Sequence, residues 1–478
     1  MKSFFATLVI GALSFTASAN DKLNFVLVLV DDMGWVDLAC QGSDYYKTPH
    51  IDKLAAEGTR FTHGYAASAV CSPTRSAVQT GKYPARTGVT DWIRSRFQRG
   101  GIGTPEANPT EFVGAKNRQL LCPPNPYWME HEEVTIAEAL KPAGYQSAYI
   151  GKWHLGDDAW YPEGQGYDIN IGGCDYGQPP SFFDPYNQPN HKHEMIRAGI
   201  PGLPGRKEGE FLTHREADEA ATLIKKWAKD DQPFFLNLGN YAVHTPIQAL
   251  PEVAAKYEQE GKAPVHAKYA AMVESVDDAI GTIVTTLEET GQLDNTVIIF
   301  TSDNGGLDRN DAPTDNAPLR SGKGYHYEGG IRVPFIVRWP GVAKAGVVSD
   351  TPVNSIDIFP TIMEAAGIEH QGTIDGISLV DHLRGGEIER DVMTWHFPHY
   401  RHGSPYSIIR KGDWKLIHHW EGQNELFNLK EDPSEETDLA AKESEKVEAL
   451  KAELISELEK QGAKIPRPNP EFAAAKKK

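Results

Sequence analysis

The sequence predicts an α/β protein with a large, mostly parallel sheet sandwiched by helices, followed by a smaller C-terminal α+β subdomain. Continuous apolar runs alternate with helical stretches over most of the chain, which is typical of a parallel sheet covered on both faces. Beyond about residue 385 the apolar runs become short and follow one another, as in an antiparallel sheet. At 478 residues, the chain is long enough for one large domain and one small one.

Five apolar runs are predicted to be strands of the large sheet, because strands buried on both faces need no polar alternation. They are residues 24–30 (NFVLVLV), 146–150 (QSAYI), 233–238 (PFFLNL), 296–301 (TVIIFT) and 333–339 (VPFIVRW). Helical patterns lie between them, at residues 48–58, 135–144, 214–230 and 268–291. A further helix is expected to begin near Cys71, where Pro73 suits a first turn.

The C-terminal part has its own pattern. Residues 407–420 and 425–429 are predicted to be short antiparallel strands, a charged helix is predicted over 442–462, and the end is expected to be a loose tail. We therefore predict a large domain over residues 20–385 and an α+β subdomain over residues 386–478.

Residues 1–19 have the features of a signal peptide. Lys2 precedes a short apolar core, and Ala17-Ser18-Ala19 is a small-residue cleavage site. The alternative is a membrane anchor, but the apolar run is shorter than the roughly 20 residues that span a bilayer. We expect an exported protein, periplasmic or secreted, without stable membrane insertion.

The net charge and the number of cysteines restrict the possible partners and the possible disulfides. The net charge of −18 argues against nucleic acid as a partner, and an anionic substrate would need a local basic pocket. Export permits disulfides. With Cys71 set aside, Cys40, Cys122 and Cys174 can form at most one bridge, and the sequence leaves the pairing open.

Oxygen-bearing side chains follow two of the predicted strands. Asp31 and Asp32 come directly after residues 24–30, and Asp303 and Asn304 follow the run at 296–301. Ligands bind beyond the carboxyl ends of parallel strands, and adjacent carboxylates repel each other unless a cation lies between them. The alternative to metal binding is that these Asp and Asn residues cap helices or form turns, for which both residue types are favoured. Two such pairs favour a site for a hard divalent ion, either Ca²⁺ or Mg²⁺.

Basic side chains follow the other strands. Lys152 and His154 come after residues 146–150, His244 comes after residues 233–238, and Lys323 lies in a glycine-rich loop. Arg75 is one helical turn beyond Cys71. Singly, each could be a surface residue. Together with a cation they would form a positive pocket able to bind and cleave an anionic ester.

These residues lie in motifs that resemble those of the type I sulfatases, which have an alkaline-phosphatase-like fold. CSPTRSAVQTG (71–81) matches the family signature C-x-P-x-R with a downstream T-G. VDDMG, GKWHLG, SDNGG, RKGDWKLI and ELFNLKEDPSE are similar to its other motifs and occur in the expected order. The resemblance covers nearly the whole chain after residue 19 and indicates a carbohydrate sulfatase of bacterial type.

The resemblance implies a specific chemistry. The motif cysteine, here Cys71, would be oxidised to Cα-formylglycine by a formylglycine-generating maturation enzyme. One hydroxyl of the hydrated aldehyde would attack sulfur, and the second would expel sulfate, so that a difficult reaction is divided into two steps. A single Ca²⁺ per subunit would be implied, with Mg²⁺ as an alternative.

The resemblance also implies roles position by position. Lys152 and Lys323 would contact sulfate oxygens, and Arg75 would orient the formylglycine. His154 would assist the aldehyde hydrate, and His244 would protonate the leaving alcohol. The implied metal ligands are Asp31, Asp32, Cys71, Asp303 and Asn304.

The substrate is predicted less directly, from loops above the sheet edge. A long insertion at residues 89–133 carries Trp92 and Arg94, and the segment 396–403 carries His396 and His402. Aromatic and basic loop residues suit an anionic sugar. We expect these four residues to line a sugar subsite, and a galacto-configured sulfated poly- or oligosaccharide to be the substrate.

Two alternatives remain open at this point. A phosphodiesterase or phosphonate hydrolase of the same superfamily could share much of this site, although two-metal members need further Asp and His ligands. A non-catalytic, glycan-binding homologue would result if Cys71 were not matured.

Overall fold

A computed structural model describes residues 22–99, 105–230, 232–259, 262–308 and 313–475. The predicted signal peptide, residues 1–19, lies outside the described residues. Within the part that is described, no helix is both long and apolar enough to cross a membrane.

An eight-stranded sheet forms the centre of the large domain. Its strands, in spatial order, are Val347–Ser349, Thr59–Phe61, Phe335–Arg338, Thr296–Ser302, Asn24–Val30, Phe234–Gly239, Gln146–Gly151 and Ile169–Ile171. All neighbouring pairs are parallel except the two made by Phe335–Arg338, which runs antiparallel to both neighbours. The predicted mostly parallel sheet is thus confirmed, and each of the five predicted strands is present.

The α-helices that surround the sheets include those predicted from the sequence. Those of the large domain are Pro49–Glu57, Cys71–Thr80, Pro84–Thr87, Ile136–Leu140, Glu194–Ala198, Leu212–Trp227, Pro251–Ala254, Pro264–Glu289, Glu328–Ile331, Ile358–Ala365 and Val380–Leu383. Those of the C-terminal part are Ser444–Lys460 and Pro470–Ala475. The helix predicted over 135–144 is divided into a short α-helix and a 3₁₀ turn, Lys141–Ala143, in which Pro142 cannot continue the α-helical hydrogen bonding.

The central strand Asn24–Val30 shows why the sheet is covered on both faces. Successive side chains of a strand point to opposite faces. Val26, Val28 and Val30 pack in an apolar core with the helices Leu212–Trp227 and Pro264–Glu289. Phe25, Leu27 and Leu29 pack in a second core on the other face, together with residues of Ile136–Leu140 and Ile358–Ala365.

A four-stranded antiparallel sheet forms the C-terminal part, in the order Met393–Phe397, Tyr406–Lys411, Trp414–His419 and Asn424–Asn428. One face packs on Tyr65, Val70 and Ile331 of the large domain, and the other packs on the helix Ser444–Lys460. This arrangement confirms the predicted fold class, while the boundary at residue 385 stays a prediction.

All four cysteines are free thiols. Cys71, Cys122 and Cys174 are buried and Cys40 is half-buried. The sequence allowed at most one disulfide among Cys40, Cys122 and Cys174, and none is formed.

A buried ion cluster joins the C-terminal sheet to the large domain. Lys415 Nζ lies 3.0 Å from Glu328 Oε1 and 2.8 Å from Glu435 Oε1, and all three side chains are buried. Burial alone would raise the pKa of the Glu328 carboxyl, but Lys415 and two nearby arginines hold it below its usual range. Removing one partner of such a cluster leaves a buried charge without compensation.

We therefore expect Lys415→Ala to lower the free energy of unfolding by about 3–5 kcal/mol, the cost typical of breaking a buried ion pair. Urea unfolding followed by circular dichroism would measure it. Lys53→Ala is the matched control, since Lys53 pairs with Glu57 at the exposed surface and should change stability little. Equal stability of the two variants would contradict the prediction.

Candidate active site

The chain brings its polar strand ends to one edge of the large sheet. The strands Thr296–Ser302, Asn24–Val30, Phe234–Gly239 and Gln146–Gly151 are adjacent and parallel. The residues that follow them, which are Asp303 and Asn304, Asp31 and Asp32, His244, and Lys152 and His154, are consequently brought together at their carboxyl ends.

Cys71 lies at this edge, at the first position of the helix Cys71–Thr80. Every residue of this helix is buried, and Gly81 ends it in the left-handed conformation that favours glycine. The first backbone N–H groups of a helix have no partner within the helix and carry a partial positive charge, so the N-terminus at Cys71 favours an anion there.

Three cations contact the buried carboxylates. Lys152 Nζ is 2.6 Å from Asp31 Oδ2, and Arg75 Nε is 2.8 Å from Asp303 Oδ2. Lys323 Nζ lies between two groups, 2.7 Å from Asp32 Oδ2 and 3.4 Å from the sulfur of Cys71. Lys323 lines the cleft beside Cys71, where a bound anion could reach it, whereas Lys152 is fully buried.

The donor set fits a divalent cation. Ligand atoms of Asp31, Asp32, Cys71 and His244 all lie within 4.8 Å of one another. Asn304 Oδ1 is buried and accepts no hydrogen bond, although its amide nitrogen donates to Asp32 Oδ1 at 2.8 Å. A buried amide oxygen without a partner is costly. A hard cation at this place would satisfy it.

The carboxyl of Asp31 supports the same conclusion. Burial raises its pKa well above the usual range, even though Lys152 opposes this shift. Asp32 and Asp303 add repulsion that also raises it. A divalent ion among these groups would favour the ionised carboxylate and relieve the repulsion.

The two histidines have different hydrogen-bond arrangements. His154 Nε2 is 2.7 Å from the carbonyl oxygen of Ile93, so Nε2 must donate and Nδ1 carries the lone pair. Nδ1 is buried and has no hydrogen-bond partner. Burial and Lys152 lower the pKa of His154 well below its usual value, which keeps this imidazole neutral.

His244 lies on the other side of the carboxylates. Its Nδ1 is 2.9 Å from the carbonyl oxygen of Thr245, and its Nε2 is 3.6 Å from Asp32 Oδ2. Burial and Lys323 lower the pKa of His244 to about 3, although Asp32 opposes the shift.

Asp32 and His154 also share an unusual backbone conformation, with φ of 62° at both. This left-handed region is unfavourable for residues other than glycine, and such strain is concentrated at functional sites. The two side chains are held in place at the cost of local backbone energy.

A cleft of about 280 Å³ opens above Cys71. Of the residues singled out in the sequence, Cys71, Trp92, His154, His244 and Lys323 line it. The residues that sequence reasoning did not single out include Phe97, Gln98, Gln178, Gln188 and Arg401. Only their position on loops near the motifs could have indicated them.

The expected sugar subsite is only partly assembled. His402 lines an adjoining cavity with Asp32 and Lys323, and its ring stacks on Tyr325 at 4.4 Å between centroids. Arg94 is exposed and lies over the Trp92 ring at 4.9 Å, outside the residues that line the cleft.

His396 does not lie in the cleft, contrary to our expectation. It is buried in the strand Met393–Phe397, where its ring nitrogens contact Ser407 Oγ at 2.7 Å and the carbonyl oxygen of Lys464 at 3.3 Å. Within the segment 396–403, Arg401 lines the cleft and the adjoining cavity, and His402 lines the adjoining cavity.

The mostly parallel sheet, the carboxylate cluster and the surrounding lysines fit a hydrolase of anionic esters with an α/β fold. Residues 23–368 match the family profile described as sulfatase, and residues 321–464 match the one described as N-sulphoglucosamine sulphohydrolase, C-terminal. The chain therefore belongs to the sulfatase family, and it is a sulfuric ester hydrolase of alkaline-phosphatase-like fold.

Individual relatives agree with this assignment. A sulfatase of Formosa agariphila is 33% identical, covering 88% of this chain and 85% of its own length. The N-acetylgalactosamine-6-sulfatase of Homo sapiens is 32% identical, covering 87% of this chain and 75% of its own. The crystal structure of Ps i-CgsB in complex with k-i-k-neocarrahexaose superposes with a TM-score of 0.77 at 28% identity, covering 92% of this chain and 93% of that one.

We expect a divalent cation to raise the thermal unfolding temperature of the metal-free protein, because it binds the folded carboxylate cluster and not the unfolded chain. Calorimetry with and without millimolar Ca²⁺ would measure a rise of several degrees. In Asn304→Ala, which loses the unpaired oxygen, the rise should be much smaller. Asp315→Asn, at an exposed position, is the control, and equal rises in both variants would contradict the prediction.

Proposed function

We propose that this sulfatase removes sulfate from a galacto-configured sulfated poly- or oligosaccharide, with formylglycine at position 71 and one bound Ca²⁺. The observation that carries the proposal is the position of Cys71. Its sulfur lies 3.7 Å from Asp31 Oδ1 and 3.4 Å from Lys323 Nζ, at the bottom of the cleft. A nucleophile derived from this side chain would meet a sulfate group between a cation site and a lysine.

Formylglycine, when formed, supplies a hydrated aldehyde as nucleophile, and the cation supplies Lewis acidity. Asp31, Asp32, Asp303 and Asn304 are the side chains that would hold the cation, with hard oxygen donors that suit Ca²⁺.

Lys152, Lys323 and the helix N-terminus at Cys71 bind the sulfate oxygens in this proposal. Preorganised cations stabilise the charge that develops in the transition state without reorganising at the moment of reaction. Arg75 contributes by position: its Nε donates to Asp303, and its Nη1 donates to the carbonyl oxygen of Lys152 at 2.5 Å. It therefore holds both the metal-ligand loop and the Lys152 loop against the helix that carries residue 71.

His154 and His244 divide the proton transfers. His154 Nδ1, with a free lone pair, is the acceptor beside residue 71. His244 Nδ1 faces a carbonyl oxygen and must carry hydrogen, so Nε2 is protonated only when the imidazole is cationic. A bound sulfate ester adds negative charge and favours that cation, which then donates its Nε2 proton to the leaving oxygen.

The sugar preference is supported by the loops and by the relatives. One relative is named N-acetylgalactosamine-6-sulfatase, and one structural neighbour binds an oligosaccharide, k-i-k-neocarrahexaose. Trp92 offers an aromatic face in the cleft, and Arg401 and His402 lie at the adjoining cavity. We propose that these three side chains contact the sugar, while Arg94 supports the Trp92 ring.

The proposal also includes export by the segment 1–19, to the periplasm or the medium, and maturation of Cys71 by a formylglycine-generating enzyme.

The phosphonate hydrolase alternative has no comparable support. A phosphonate monoester hydrolase shares the fold at 21% identity and a TM-score of 0.64. Lys152 and Lys323 pair with Asp31 and Asp32, and in this proposal these lysines stand in place of the further Asp and His ligands that a second metal needs.

We expect matured protein to hydrolyse a sulfate monoester at least a hundredfold faster, by kcat/KM, than the phosphonate or phosphate diester with the same alcohol. Mass spectrometry of the peptide 61–82 would establish maturation, because formylglycine is about 18 Da lighter than cysteine. Cys71→Ala should abolish turnover. A preference for the phosphorus esters, or full activity of Cys71→Ala, would refute the proposed function.

A leaving-group comparison would test His244. General acid catalysis contributes about 10²–10⁴-fold where the leaving oxygen is basic. His244→Gln should lower kcat by that amount on a sulfated sugar but far less on a nitrophenyl sulfate, whose leaving group needs no proton. His266→Gln, on a histidine that binds the carbonyl oxygen of Pro313 away from the cleft, is the control. Equal losses on both substrates would exclude the acid role.

A further inference from the structure

A second set of potential metal ligands lies outside the active site. His326, His419 and Glu425 each place one donor atom within 4.8 Å of the others. His419 Nε2 is 2.8 Å from Glu425 Oε1, and His326 Nε2 is 3.7 Å from the same oxygen. The two imidazole rings are 5.0 Å apart between centroids and nearly perpendicular, at 84°. Three donors thus converge from three different directions.

One of these donors has no hydrogen bond. His326 is buried, and its Nε2 is a buried atom without a hydrogen-bond partner, since 3.7 Å to Glu425 is too long. A buried nitrogen that points at a carboxylate oxygen without bonding to it is explained by a ligand between the two.

The outer contacts of the cluster are those of a prepared metal site. His419 Nδ1 is 3.0 Å from Ser404 Oγ, and the Tyr327 hydroxyl donates to Glu425 Oε2 at 2.9 Å. Hydrogen bonds of this kind fix the ring orientation of a ligating histidine and the free oxygen of a ligating carboxylate.

We propose that His326 Nε2, His419 Nε2 and Glu425 Oε1 bind a transition-metal ion, with Zn²⁺ as the best fit. Two imidazoles and one carboxylate form a donor set for zinc, whereas calcium prefers oxygen donors alone. Tetrahedral zinc with bonds of about 2.0–2.1 Å places its ligand atoms about 3.3 Å apart. The distance of 3.7 Å between His326 Nε2 and Glu425 Oε1 is close to this value. His419 Nε2 and Glu425 Oε1, now 2.8 Å apart, would need to separate by roughly half an ångström.

The location gives this site a structural consequence. His326 is three residues after Lys323, on the loop that carries this lysine into the active site. His419 and Glu425 are on the C-terminal sheet, at the end of Trp414–His419 and in Asn424–Asn428. A metal ion held by all three side chains would fasten that sheet to the Lys323 loop. This site is separate from the carboxylate cluster and does not depend on the proposed function.

Binding of Co²⁺ as a spectroscopic substitute for Zn²⁺ would test the proposal on the full chain. With the active site filled by excess Ca²⁺, titration should give one equivalent of bound Co²⁺ with visible absorption bands of a four- or five-coordinate ion. Zn²⁺ should displace it. X-ray absorption of the zinc-loaded protein should show two imidazoles. A six-coordinate spectrum, or no bound equivalent, would overturn the proposal without affecting the sulfatase assignment.

Variants would locate the ion. His419→Ala and Glu425→Gln should each lose the tight equivalent of Co²⁺. His418→Ala is the matched control, because His418 is adjacent, contacts Asn424 Oδ1 at 2.8 Å and is not part of the cluster. Circular dichroism would confirm that each variant is folded. If a variant does not fold, the Co²⁺ and X-ray absorption spectra of the wild-type protein decide whether the proposal stands. Retention of the tight equivalent in folded His419→Ala and Glu425→Gln would overturn the proposal.

Discussion

The site depends on the placement of three buried carboxylates beside one another. Asp31, Asp32 and Asp303 follow two adjacent parallel strands, so the sheet itself fixes their separation. Their mutual repulsion is opposed by Lys152, Lys323 and Arg75, each of which contacts one of them. Buried charges of this kind are stable only when paired and hydrogen-bonded. The cations that stabilise the fold at this edge are therefore the same ones that would bind an anionic substrate.

Much of this centre could be predicted from the sequence, because the order of parallel strands places residues at one edge irrespective of the loops. Asp31, Lys152, His244 and Asp303 each follow a strand whose apolar run is unmistakable. The antiparallel direction of Phe335–Arg338 was not predictable, because a continuous apolar run is the same whether the strand is parallel or antiparallel to its neighbours. Short strands such as Ile169–Ile171 were not predicted, because three half-buried residues give no periodic pattern of apolar and polar side chains.

The loops show where sequence reasoning stops. His396 and His402 lie in one short segment and looked equivalent, but His396 belongs to a strand and contacts Ser407, while His402 stacks on Tyr325 at the cavity that adjoins the cleft. Arg401, next to His402, lines both the cleft and the adjoining cavity. Direction in such a segment depends on packing of the C-terminal sheet against the large domain, which no local pattern encodes.

The burial of residue 71 bears on why its side chain would need modification. Burial raises the pKa of the Cys71 thiol to about 11, although Lys152 and Lys323 oppose the shift. Without a cation, the thiol is protonated at neutral pH and is a weak nucleophile. With a cation beside Asp31, its thiolate would be held as a ligand and lose reactivity. Unmodified Cys71 has no hydroxyl group that could expel sulfate in a second step, which is why the proposed function places a hydrated aldehyde at this buried position.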